Sequence, residues 1–115
     1  MALIQWQTRA KKHVRSVFEY YKKHASPTVA AAISNTIVSS VDILEEFPEI
    51  GKKDTKLSNE ETTYRYVIAK YSKRTYRVYY LYENDTCSIL AVWHCSMNPT
   101  KLPLHVIPKR RKAKR

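Results

Sequence analysis

Apolar residues recur along this chain with two different periods, and the change from one to the other falls near Gly51. Residues 2–7 (Ala-Leu-Ile-Gln-Trp-Gln) read as a short opening strand. From Ala10 through Val14, Val17, Phe18 and Tyr21 the apolar positions return every three or four residues with basic residues between them, which predicts a helix. Ser26 and Pro27 then interrupt the pattern. Serine suits an N-cap and proline the first helical position, so a second helix begins there. Its apolar stripe runs Val29, Ile33, Ile37, Val41 and Leu44, and Pro48 ends it. Two helices joined by so short a break form a hairpin with one shared apolar side.

Beyond Gly51, the only glycine, residues 52–62 are polar and read as a loop. Three β-rich runs follow, Thr63–Lys70, Arg74–Tyr82 and Thr86–Ser96, and they hold most of the nine tyrosines. Asn84-Asp85 separates the last two, and both residue types tolerate the positive φ of a tight hairpin. The order β-α-α-β-β-β predicts an α+β fold, with the helical hairpin packed on one face of a mostly antiparallel four-stranded sheet. A length of 115 residues suits one domain, placed at residues 1–104 with a basic tail at 105–115.

Strand alternation predicts which side chains share a face. If Asn84-Asp85 is a two-residue turn, Glu83 pairs with Thr86, Arg77 lies opposite Val92, Tyr79 opposite Leu90 and Thr75 opposite His94. Arg77, Tyr79, His94 and Ser96 then share the face away from the helices, while Tyr76, Val78, Tyr80, Ile89, Ala91 and Trp93 form the core. Arg65 joins the first set only if the turn near Ser72 has an odd number of loop residues, which the sequence leaves open. An arginine, a histidine and tyrosines on one sheet face suit nucleic acid: guanidinium groups grip phosphate and rings stack on bases. Histidine or tyrosine could move a proton there.

Charge sharpens this picture. The net charge is +11, and residues 101–115 hold seven of the 21 basic residues and no acid. Such a balance implies an anionic partner. The two cysteines, Cys87 and Cys95, sit about 26 Å apart along one extended strand. They cannot bridge at that distance and read as reduced, buried thiols of a cytoplasmic protein. No stretch reads as a signal peptide or comes near the ~20 apolar residues of a membrane span. Metal sites and cofactors are not expected.

Several segments together resemble the RelE/ParE superfamily of toxins from type II toxin–antitoxin systems, in the form known as plasmid stabilization proteins. They are Ile4-Gln5-Trp6, Phe18-Glu19-Tyr20-Tyr21-Lys22, Phe47-Pro48-Glu49-Ile50-Gly51, Tyr64-Arg65-Tyr66-Val67-Ile68, Tyr76-Arg77-Val78-Tyr79-Tyr80 and Val92-Trp93-His94-Cys95-Ser96-Met97-Asn98-Pro99. Their order over residues 4–102 fits the layout read from periodicity. The resemblance implies one of two targets. RelE-type members are metal-independent endoribonucleases (mRNA interferases) that cleave messenger RNA on the ribosome, with basic residues stabilising the scissile phosphate. ParE-type members inhibit DNA gyrase. It also implies a cognate antitoxin with an acidic segment that covers the basic face.

Carried over by position, Arg77 matches the family arginine that contacts the reacting phosphate, and Arg65 a basic position on the preceding strand. His94 stands where the family often has aspartate, Ser96 where it has arginine, and Val67 where RelE-type members have a lysine. The expected catalytic group is Arg77, His94 and Arg65, with Lys70, Lys73, Arg74, Tyr79 and Lys101 binding nucleic acid. The leading expectation is a ribosome-dependent ribonuclease. A gyrase inhibitor without chemistry, or an inactive basic nucleic-acid-binding domain, would use the same scaffold.

Overall fold

The computed structural model describes residues 1–95; Ser96, Lys101 and the basic tail lie outside the described residues. The elements are β1 (Leu3–Trp6), α1 (Thr8–His24), α2 (Pro27–Ser39), a 3₁₀ turn (Asp42–Glu45), β2 (Lys52–Lys53), β3 (Tyr64–Tyr71), β4 (Arg74–Glu83) and β5 (Thr86–His94). The predicted order holds, with β2 added from within the expected loop. The strands form one sheet in the order β1-β5-β4-β3-β2, with β1 parallel to β5 and the other pairs antiparallel.

Local chemistry explains the boundaries. Ser26 Oγ accepts the Val29 amide at 3.1 Å and Pro27 opens α2, as the sequence predicts. The helix stops at Ser39, short of Pro48. Thr36, Ser39 and Ser40 turn their hydroxyls back onto the carbonyls of Ala32, Thr36 and Ile37, and this competition loosens the last turn into the 3₁₀ segment. By length and composition the 19-residue stretch Pro27–Glu45 could cross a membrane, contrary to the sequence expectation. Here its stripe of Ile33, Ile37, Val41 and Leu44 is buried in the core between the helices and the sheet, with Tyr76, Val78, Tyr80 and Ile89. Burying such side chains contributes roughly 1.5–3 kcal/mol each. Cys87 is buried there too, whereas Cys95 is exposed, so only one of the two free thiols is buried as expected.

The segment after the helices is pinned from the sheet. Tyr80, fully buried, donates its hydroxyl to Pro48 O at 2.7 Å and accepts the Gly51 amide at 2.9 Å. A Cβ on Gly51 would come within 2.5 Å of the Tyr80 ring, so the only glycine sits where nothing larger fits.

One irregularity reorganises the sheet. Asn84 and Asp85 take φ of 54° and 58°, and Glu83 pairs with Thr86. Pairing follows the expected register as far as Tyr80 opposite Ile89, and then shifts, with Tyr79 opposite Ala91. Leu90 is therefore the extra residue of a β-bulge, and it points with Ala91 to the same side. Every residue of β5 beyond it is displaced by one. Arg77 faces Trp93 instead of Val92, and His94 faces Tyr76 instead of Thr75.

Candidate functional site

The sheet face away from the helices is partly covered. Residues 54–62 fold over it and pack Leu57 against buried Tyr64, Tyr66, Tyr79, Leu90 and Ala91. Asp54 organises this cover: its Oδ1 accepts the amides of Lys56 and Leu57, each at 3.0 Å. Ser58 Oγ accepts the Tyr64 amide at 2.8 Å, and Asn59 Oδ1 accepts those of Glu61 and Thr62 at 2.8 and 2.7 Å. Asp and Asn side chains making such short-range bonds replace the ladder that this stretch lacks.

Arg77 lies at the edge of that cover. Its guanidinium stacks over the Tyr66 ring, 4.4 Å from the centroid, and Nη1 donates to the Tyr79 hydroxyl at 3.3 Å. The same hydroxyl donates to Asp54 Oδ2 at 3.2 Å, and Oδ2 lies 3.9 Å from Arg77 Nη1. Asp54 is 8% exposed and Arg77 28%, so the carboxylate is buried while the guanidinium keeps one side open to solvent. Burial pushes the Tyr79 phenol above its ordinary value. It therefore stays protonated near neutrality and links Asp54 to Arg77 as a hydrogen-bond relay. The Tyr79 bond in turn holds Arg77 more firmly in its charged form.

Beside Arg77 opens a cleft of about 230 Å³ lined by Lys52, Lys53, Asp54, Thr55, Lys56, Tyr66 and Arg77. Three lysines of this lining were not anticipated. A two-residue strand shows no periodicity, and the cleft exists only because β2 pairs with Tyr66 and Arg65 of β3. The Asp54-Thr55-Lys56 sequence, an acid followed by the amides it caps, was the readable signal.

The residues expected to act together are dispersed. His94 is carried by the Leu90 bulge to the helix side, where its ring meets Tyr76 edge-on at 5.0 Å. The Ser72–Lys73 turn has two residues, so Arg65 pairs with Tyr80 and not with a residue of Arg77's face. Its Nη1 donates to Gly51 O at 2.9 Å and Glu49 O at 3.2 Å, clamping the segment that Tyr80 also holds. Arg74 is on the helix side as well, over the Tyr21 ring at 4.9 Å. Val67 packs against the helix-side core. Tyr79 shares Arg77's face but is fully buried, so its ring is not offered for stacking on a base. Ala91 and Trp93 move to Arg77's face, and Val92 takes their place in the core. Lys70 remains exposed on Arg77's side, opposite Thr75, and Lys73 is exposed at the turn. Among the described residues no three His, Cys, Asp or Glu side chains gather as metal ligands would.

A sequence profile of the family described as "ParE toxin of type II toxin-antitoxin system, parDE" matches residues 4–99. The chain belongs to the ParE toxin family. Among solved structures it is similar to a chain of the chromosomal ParDE TA system from P. aeruginosa, with a TM-score of 0.64 and 15% identity. That match covers 82% of this chain and 96% of the other. At that identity the likeness speaks for the ParE fold alone. No curated protein matches this chain. The chain is thus a type II toxin with the ParE arrangement of two helices on a mostly antiparallel five-stranded sheet.

Proposed function

We propose that this ParE toxin inhibits DNA gyrase by binding it, without cutting RNA. The observation that carries the reading is the Leu90 bulge, which puts His94 on the face opposite Arg77. Metal-free RNA cleavage needs a proton acceptor near the 2′-hydroxyl and cations on the scissile phosphate, all within about 3 Å of one point. Among the described residues Arg77 hydrogen-bonds to Tyr79, pairs with Asp54 and stacks on Tyr66, and the cleft beside it adds lysines but no histidine. Tyr79 is held protonated, and the Asp54 carboxylate already accepts the Tyr79 hydroxyl and two amides. Arg65 and Arg74 point to the other face. This set suits docking better than phosphoryl transfer.

The partners follow from the same reading. Gyrase is the target in the cytoplasm, and a cognate antitoxin with an acidic segment silences the toxin by covering Arg77 and the lysines beside it. Induction in cells, with RNA ends mapped and plasmid supercoiling followed in parallel, separates the readings. Relaxed or broken plasmid without new messenger-RNA ends supports gyrase. New codon-phased ends on ribosome-bound RNA with unchanged supercoiling would restore the ribonuclease.

A further inference from the structure

The cleft beside Arg77 gathers positive charge. Lys52, Lys53, Lys56 and Arg77 line it, and the only acid in the lining is Asp54. That acid is committed: Oδ2 to Tyr79 and Arg77, Oδ1 to two backbone amides. The lysine charges are therefore not offset inside the cleft, and all three lysines are exposed. Lys52 pairs with Tyr66 and points to Arg77's face, whereas Lys53 pairs with Arg65 and lines the cleft from the strand that carries it, its side chain on the other face. We propose that this cleft grips the phosphodiester backbone of duplex DNA. The proposal rests on the gyrase reading for its setting, since gyrase itself holds a DNA duplex, and it names a second surface that the toxin engages there.

Three features favour a phosphate backbone over an acidic peptide. Carboxylates are held best by the planar fork of arginine, and the only arginine in the lining already has Asp54, Tyr79 and Tyr66 around it. The remaining cations are lysines, point charges on flexible stems that follow a chain of phosphates without demanding one geometry. The cations also form a row. Lys52 lies beside Tyr66, Arg77 beside Ile68, and Lys70 two residues further along β3 on the same face. From Tyr66 to Lys70 the strand runs about 13 Å, so the cations are spread along a line as the phosphates of one DNA strand are. The Tyr66 ring stacked under Arg77 fixes that guanidinium in the middle of the row.

The test uses the full-length chain and a short fluorescent DNA duplex, with binding followed by anisotropy over a salt series. In a Lys52→Gln/Lys56→Gln variant the slope of log affinity against log salt should fall by roughly 2, near 0.9 per lost phosphate contact. A second variant, Lys11→Gln/Lys22→Gln, removes equal charge from exposed positions of α1. It should lower the slope by less than half as much, with both variants matching the parent in urea unfolding. Equal losses from the two variants would overturn the proposal, because the binding would then be diffuse charge alone. It also fails if the cleft variant keeps its DNA affinity and loses binding to a glutamate-rich peptide, which would make this a protein site. The gyrase reading is judged separately, by supercoiling inhibition. Cleft-dependent DNA binding by a toxin inert towards gyrase would sustain the cleft proposal and remove the functional setting.

Discussion

Tyr80→Phe removes a single oxygen atom and should cost far more than its size suggests. The phenol is fully buried and serves two backbone groups at once, donating to Pro48 O at 2.7 Å and accepting the Gly51 amide at 2.9 Å. Phenylalanine keeps the packing and leaves no cavity, so the cost lies in the orphaned partners. Gly51 is buried, and its amide would face a ring edge; a buried donor without a partner costs about 1–3 kcal/mol. Pro48 is only half-buried and its carbonyl can turn to water, adding about 0.5–1 kcal/mol. The sum, roughly 1.5–4 kcal/mol, compares with a total stability on the order of 6–17 kcal/mol for a domain this long. At about 2.1 cal/mol/K of unfolding entropy per residue, each kcal/mol lowers Tm by about 4 °C, so a fall of about 6–16 °C is expected. Urea unfolding followed by circular dichroism should show a lower midpoint at an unchanged slope. Hydrogen exchange should show the Gly51 amide losing its protection. A midpoint within ~0.5 kcal/mol of the parent, with Gly51 still protected, would mean that Tyr80 does not hold this segment.

Three further outcomes follow from the same geometry. Arg65→Ala should cost about 1 kcal/mol, because its two carbonyl partners are partly solvated; combined with Tyr80→Phe in urea melts, the losses should not add, since both residues hold residues 48–51. His13 accepts the Val92 amide on Nδ1 at 3.0 Å, and burial, with Arg9 nearby, lowers its pKa below the usual 6.5. The folded form thus prefers the neutral ring, so stability is complete above about pH 6.5 and declines as the pH falls towards the folded pKa. His13→Leu should be less stable at every pH and lose that part of the slope in urea midpoints taken between pH 8 and 5. Native protein should take up one maleimide, at exposed Cys95, because Cys87 is buried with its thiol pushed up to about 11; mass spectrometry of the native and unfolded chain reads one label and then two.

The elements that announce themselves locally were legible in the sequence. Ser26-Pro27 caps α2 through a bond to a residue three positions on, and Asn84-Asp85 supplies both positive φ angles of its turn. Facial assignment is different, because it propagates. A single extra residue at Leu90 leaves the parity correct up to Ile89 and inverts it for Val92, Trp93 and His94. No residue type marks that bulge: it has no glycine, and Leu90-Ala91 reads as ordinary strand. Arg65 misled for another reason. A basic residue on a tyrosine-rich strand suggests a ligand contact, but its partners are the carbonyls of Glu49 and Gly51, distant in sequence and chemically silent there. Asp54 lies in a polar stretch that shows no periodicity, although it is the buried acid on which Arg77 and Tyr79 converge.

We propose that this ParE toxin works by binding gyrase through the face that carries Arg77. The most direct test is a supercoiling assay with purified gyrase and relaxed plasmid, in which the full-length toxin is compared with Arg77→Ala. The substitution leaves the Asp54 carboxylate with the Tyr79 hydroxyl and two amides, so the fold should survive. A lost charge-assisted contact of roughly 1.5–3 kcal/mol corresponds to about a 10- to 150-fold weaker inhibitor. The parent toxin should therefore block supercoiling at concentrations where a folded Arg77→Ala does not. Supercoiling untouched by the parent toxin, or blocked equally by both proteins, would contradict the account.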